Sequence, residues 1–289
     1  MAKYFALHPA TFKLDGGAMF GIIPKPLWEK QIPADELNRI HLSLRVLCIK
    51  TENRVILLDT GIGDYHDAKF NQRFGVVGQN DSLLNLLQSE LNLTPYAITD
   101  VVISHLHFDH VGGLGDRQGQ FMFPNARIHV HRQHYDYALA PTARDTGSFQ
   151  TQYFAPVIQQ LEQQGRVDWH VGSEGVLLTD GDYELRYTCS QGHTPWLMHA
   201  HDDRIIYMAD LVPTSSHIPI PWVMGYDISP GQTTRDKADF YQMIARKNLT
   251  MIFEHDVQFF GAKITWENGD VRVQEKFPAT AASVVSLNV

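Results

Sequence analysis

A chain of 289 residues with 44% hydrophobic and 19% charged residues has the balance of an ordinary soluble globular protein, enough for one large core or two modest ones. Its formal net charge of -8 excludes a broad basic footprint, and with it a nucleic-acid or anionic-membrane surface. No segment is long enough to span a bilayer and the first residues lack the apolar core of a signal peptide, so the chain reads as cytoplasmic.

In chain order, residues 16–37 come first, rich in Gly, Pro and apolar side chains (Met19, Phe20, Ile22, Ile23, Trp28). That composition suits either a lid over a site or a strap packed on the core, and residues 1–40 are set apart as an N-terminal arm of one domain spanning 1–289. β-rich runs at 42–50 and 54–59 flank the polar segment Thr51-Glu52-Asn53, a hairpin pattern. The second run ends in Asp59-Thr60-Gly61-Ile62-Gly63, where glycines let a strand give way to a loop. A helix opens at Asp81, an N-cap candidate before an apolar face. Val101-Val102-Ile103-Ser104 reads as a buried strand, then come His105-Leu106-His107-Phe108-Asp109-His110 and Val111-Gly112-Gly113. A short strand at 127–130 and a helix at 148–164, closed by Gly165, complete the first half.

The second half repeats this grammar. Strands are expected at 176–178, 183–189, 197–201 and 204–209, a helix at 234–247 and a strand at 249–253. A final hairpin joins 262–266 to 271–274 across Asn268-Gly269, a strong two-residue turn. Strands bunch together with helices set between them, which fits an α/β protein of α+β type, two sheets covered outside by helices. The cysteines, Cys48 and Cys189, lie in apolar strand-like runs and lack the paired spacing of a thiolate metal site, so buried free thiols are expected.

The six residues from His105 to His110 carry the chemistry. Three imidazoles and a carboxylate stand within one short arc at a strand end, and imidazole nitrogen suits zinc, copper, iron and nickel. Further ligands should come from other strand ends. His193, in Gln191-Gly192-His193-Thr194-Pro195, follows a strand with Gly before it and Pro after it. Asp210 follows Ile205-Ile206-Tyr207-Met208-Ala209, and His255 follows Met251-Ile252-Phe253-Glu254, in the same way.

This succession, from Asp59 through His105, His107, Asp109 and His110 to His193, Asp210 and His255, resembles the metallo-β-lactamase fold superfamily of binuclear metallohydrolases over nearly the whole chain. The resemblance implies an αββα sandwich with its site at one edge of the two sheets. It implies two divalent metal ions per chain, zinc first and iron, cobalt or manganese after it. His105, His107 and His193 would hold one ion, Asp109, His110 and His255 the other, and Asp210 would bridge them, with Asp59 orienting ligands from behind.

Two further stretches narrow the resemblance. Leu14-Asp15-Gly16-Gly17-Ala18-Met19-Phe20-Gly21 with Pro24-Lys25-Pro26-Leu27-Trp28, and Asp210-Leu211-Val212-Pro213-Thr214 with Pro221-Trp222-Val223-Met224-Gly225-Tyr226-Asp227, are similar to quorum-quenching N-acyl-homoserine lactonases and related organophosphate hydrolases. The implied reaction is hydrolysis of a lactone or carboxylic ester by a metal-bridged hydroxide, with Asp109 or Asp210 shuttling the proton. The implied partner is a small-molecule ester or lactone, and a homodimer is compatible with the class. One departure stands out: many of those lactonases carry a tyrosine three residues beyond the bridging aspartate, and here that position is Pro213. Tyr226 and His217 are the candidates to replace it as helper of the leaving group. Met19, Phe20, Trp28 and Trp222 could line an acyl pocket or simply pack in the core. Competing readings are phosphotriester, thioester or β-lactam hydrolysis on the same scaffold, and a mononuclear iron redox enzyme. No Gly-x-Ser-x-Gly elbow offers a serine nucleophile.

Overall fold

The computed structural model describes residues 2–78, 80–279 and 284–287. Among them the chain lays down two sheets of seven strands each. The first is built from β1 (Lys3–Asp15), β2 (Arg39–Lys50), β3 (Val55–Leu58), β4 (Asp100–Val102), β5 (Arg127–His131) and β6 (Val167–His170). The second runs through β7 (Glu174–Asp180), β8 (Tyr183–Ser190), β9 (Leu197–His201), β10 (Ile205–Tyr207), β11 (Thr250–Ile252), β12 (Phe259–Glu267) and β13 (Asp270–Pro278), after which β14 (Val284–Leu287) returns to pair with β1.

Alternation along the strands explains the layering. Leu47, Ile49, Ile56 and Leu58 point between the sheets, where they meet Leu185, Leu197, Tyr207 and Ile252. The intervening Val46, Cys48 and Leu57 face outward, into a cluster with Leu83 and Leu87 of α4 and Phe154, Val157, Ile158 and Leu161 of α7. In chain order the helices are α1 (Gly16–Phe20), α2 (Lys25–Trp28), α3 (Ala68–Phe74), α4 (Asn80–Leu91), α5 (Phe108–Val111), α6 (Arg132–Leu139), α7 (Thr151–Gln163) and α8 (Pro230–Lys247). The outer face of the second sheet is covered by Phe240, Tyr241 and Ile244 of α8. This is an αββα sandwich, as expected.

The second-half elements fall within a few residues of expectation. Asn268 and Gly269 both take positive φ, 54° and 80°, as a two-residue hairpin turn requires. The N-cap expected at Asp81 lies outside the described side chains. The expected arm over residues 1–40 divides: residues 3–15 form β1, paired with both β2 and β14. The pairing shifts register between Leu7 and Ala10, around Pro9, and a proline at a bulge masks a strand in sequence. Residues 16–28 fold instead as two short helices whose Met19, Phe20 and Trp28 are fully buried. Strand β6, half-buried along its whole length, and helix α6 carry no clear periodicity and were not expected. Both cysteines are free, Cys48 buried and Cys189 half-buried. Among the described residues no helix is long and apolar enough to cross a membrane.

Candidate metal centre

Parallel pairing of β3 with β4, and of β10 with β11, makes these strands end together on one edge of the sandwich. Asp59 follows β3, the His105–His110 run follows β4, His193 follows β8, Asp210 follows β10 and His255 follows β11. Glycine lets two of these loops touch. Thr60 N donates to His110 O at 2.8 Å and Gly113 N to Gly61 O at 3.2 Å. A Cβ at Gly112 would stand 2.2 Å from Ile62 O, so no other residue fits without moving the backbone.

The structure brings all seven expected ligands together. One group joins His105, His107, His193 and Asp210, and another joins Asp109, His110 and His255. His107 Nδ1 lies 3.0 Å from His105 Nε2 and 3.2 Å from His193 Nε2. Asp210 stands between the groups: its Oδ2 is 3.2 Å from His193 Nε2 and 3.5 Å from His110 Nε2, and its Oδ1 is 3.1 Å from His255 Nε2. His255 Nε2 lies 3.6 Å from Asp109 Oδ2. The buried atoms His110 Nε2 and Asp210 Oδ1 have no hydrogen bond. Buried nitrogen and oxygen donors left unmet at the convergence of two such groups fit divalent cations, and the imidazole–carboxylate donor set suits zinc.

The far sides of the His110, His193 and His255 rings are held from behind. Asp59 accepts from Ser104 N at 2.7 Å and Ser104 Oγ at 2.6 Å, and its Oδ2 lies 3.0 Å from His110 Nδ1. Asp227 Oδ1 is 2.9 Å from His193 Nδ1, and Ser43 O is 2.8 Å from His255 Nδ1. Such partners fix ring tautomer and direction. Burial alone would drive these imidazoles neutral. It does so for His105 and His107, which sit well below the ordinary range with neighbouring imidazoles adding to the effect. Against the same burial, Asp210 raises His193 to about 9 and His255 to about 9, and Glu254 with Asp210 holds His110 well above its usual value. Burial also raises Asp109.

The helper candidates lie differently. Tyr226 is half-buried, its phenol pushed up to about 12 by burial with the charges of Asp15 and Asp109 adding. His217 is enclosed: Nε2 bonds Met19 O at 2.9 Å, Nδ1 bonds Thr214 Oγ1 at 2.7 Å, and the ring stacks on Phe20 at 4.6 Å. With both nitrogens taken and burial lowering it to about 4, His217 has no free proton to offer, and it works as a brace for the arm. Met19, Phe20 and Trp28 likewise belong to the core rather than to an open pocket; Trp222 alone of that set is half-buried.

Sequence reasoning missed four contributors. Asp227 was read only as part of a motif. Glu254 is fully buried, with Oε2 2.8 Å from His110 Nδ1 and 2.7 Å from Tyr207 Oη, which donates to it; burial raises its carboxyl to about 7. A charged residue closing the apolar run before His255 was the available signal. His134 ties two ligand loops together: its Nε2 accepts from Leu106 N at 2.8 Å and its Nδ1 bonds Pro195 O at 2.7 Å. Nothing in the spacing of His134 announced this. A partly exposed aromatic face includes Tyr65, which feels the charge of Asp109: Tyr65 stacks on Tyr153 at 3.8 Å, and Phe70 meets Phe108 edge-on at 5.6 Å.

Fold and site together define a class. Residues 46–255 match the Metallo-beta-lactamase superfamily, and the chain belongs to it. It is related in sequence to N-acyl homoserine lactonases. It is 36% identical over 110 residues to an N-acyl homoserine lactonase of Bacillus thuringiensis, a match covering 34% of this chain and 41% of that protein. The aligned stretch thus spans less than half of these relatives. A probable metal-dependent hydrolase from Staphylococcus aureus shares the whole fold, with a TM-score of 0.83, 26% identity and coverage of 97% of this chain and 98% of that one. A dizinc quorum-quenching lactonase crystallised with its product shares the fold at a TM-score of 0.72 and 20% identity, covering 97% of this chain and 95% of that one.

Proposed function

We propose that this protein is a binuclear zinc hydrolase of lactones or carboxylic esters, with an N-acyl homoserine lactone as the favoured substrate class. The observation that carries the reading is Asp210, whose carboxylate reaches both ligand groups, Oδ2 toward His193 and His110 and Oδ1 toward His255, with Oδ1 left without a hydrogen bond. His105, His107 and His193 would hold one ion and Asp109, His110 and His255 the other, with Asp210 shared. Bound there, two divalent ions supply Lewis acidity that polarises a carbonyl and lowers the pKa of water.

The chain's own residues do the rest. Asp59, Asp227 and Ser43 O keep the rings aimed. Asp109 or Asp210 is placed to accept and return a proton. The face of Tyr65, Phe70, Phe108 and Tyr153 offers apolar surface to an acyl chain. The lactonase names of the relatives support the same substrate class.

A second reading, phosphotriester or aryl ester hydrolysis, is favoured by Pro213, which stands where a leaving-group tyrosine is expected and whose carbonyl accepts from His255 N at 3.0 Å. Leaving-group chemistry separates the two. An alkoxide from a lactone needs a proton and a nitrophenolate does not. Tyr65 and Tyr226 both sense the charge of Asp109 and are the phenols that could assist. The test is a panel of lactones, nitrophenyl esters and phosphotriesters on zinc-loaded protein, with Tyr226→Phe and Tyr65→Phe. Lactone turnover that falls by roughly a hundredfold in one variant, with nitrophenyl ester turnover held, supports lactone hydrolysis with that tyrosine as donor. Turnover of phosphotriesters alone would reject it.

A further inference from the structure

Arg45 of β2 is buried, and its guanidinium bonds main-chain carbonyls rather than carboxylates. Burial lowers it to about 10, against the attraction of Asp256, Tyr207 and Glu254, so it remains a cation at neutral pH. Along β2 the inward positions run Ser43, Arg45, Leu47, Ile49, and the last two lie in the apolar cluster between the sheets. The cation thus stands where alternation calls for an apolar side chain, and a charge so costly to enclose should answer a specific need.

The need lies across the sandwich, in Phe253-Glu254-His255-Asp256, just past the end of β11. Arg45 Nη1 donates to Phe253 O and, at 3.4 Å, to Glu254 O, while Nη2 donates to Asp256 O at 2.8 Å. Arg45 N donates to Glu254 O at 3.2 Å and Ser43 N to His255 O at 2.9 Å. Two residues of β2 therefore meet the carbonyls of all four successive residues. His255 sits inside this run, with Nδ1 2.8 Å from Ser43 O and Nε2 turned toward Asp210 and Asp109. Glu254 carries the hold to a second ligand, its Oε2 lying 2.8 Å from His110 Nδ1. His105, His107 and His193 are tied elsewhere, to Ser104, to one another and to Asp227.

We propose that Arg45 is a positioning residue for one half of the metal centre: by collecting the carbonyls on either side of His255 it fixes that ring, and through Glu254 the ring of His110. The ion assigned to Asp109, His110 and His255 then depends on Arg45, and the ion assigned to His105, His107 and His193 does not. The inference rests on the two-ion reading, so its test has one arm that needs no metal. Arg45→Met keeps an unbranched apolar stem while removing every side-chain donor. Zinc affinities are measured by chelator competition beside His255→Ala, which marks the ion at stake. That ion should bind roughly tenfold or more weakly in Arg45→Met, the other within about twofold of wild type, with Arg45→Lys between. Both ions weakened alike, or neither weakened, would overturn the proposal. In metal-free protein the amides of Phe253 and His255, which donate to Phe260 O and Pro213 O, should exchange about fivefold faster or more in Arg45→Met, with β5 amides unchanged. Unchanged exchange at both positions also overturns it. Should Arg45→Met fail to fold, Arg45→Lys, which keeps the charge on a less branched donor, must show both shifts at smaller size, and their absence overturns the proposal. If wild type holds fewer than two ions, the two-ion reading is wrong, and the exchange comparison alone decides: faster exchange confined to the run retains the clamp and unchanged exchange rejects it.

Discussion

At the scale of the residue, the candidate metal ligands were legible and their supports were not. Ligands announce themselves because chemistry confines them to few residue types at strand ends; His105, His107, Asp109 and His110 do so within six positions. A support such as Asp227 is defined only by what it reaches across the fold, 34 positions from His193. Asp227→Asn removes the charge behind His193 while keeping the side chain's size. It should weaken metal binding or activity by roughly 10–100-fold, measured by chelator competition. An unchanged affinity would mean that Asp227 serves only its own loop, where its Oδ2 accepts from Met224 N at 3.1 Å.

At the scale of the element, regular strands with clean turns were readable and the N-terminal region was not. Two-residue punctuation such as Asn268-Gly269 marks a hairpin from local conformation alone. By contrast β1 carries Pro9 within it, and its identity as a strand depends on partners at both edges, one of them β14 near the far end of the chain. The arm's apolar residues suited a lid or a strap equally until their burial was known. Trp28 is 1% exposed, lies parallel to Phe20 at 5.4 Å, and its ring occupies the space where a Cβ on Gly16 would fall. Trp28→Ala should therefore cost about 3–5 kcal/mol in urea unfolding. A variant of unaltered stability that only raises KM would make residues 16–28 a lid.

At the scale of the whole molecule, the sandwich carries many imidazoles buried as neutral rings, and these govern its response to acid. Burial lowers His134 and His199 to about 3, and His217 to about 4. His134 has a further reason to stay neutral, since its Nε2 must accept from Leu106 N. Because the folded values lie below 6.5, the unfolded chain takes up protons first as pH falls. Stability present at and above that value is lost as pH drops toward 4 and then 3, at about 1.4 kcal/mol per pH unit for each such group within its window. Urea midpoints of metal-free protein should thus be clearly lower at pH 4.5 than at pH 6.5. Equal midpoints would mean these rings titrate freely. The central claim remains that the cluster at the sandwich edge is a two-ion centre. Metal content of zinc-loaded, desalted protein, measured beside that of His255→Ala, tests it most directly. Two equivalents per chain in wild type, falling toward one in the variant, are expected; one equivalent in both would contradict the account.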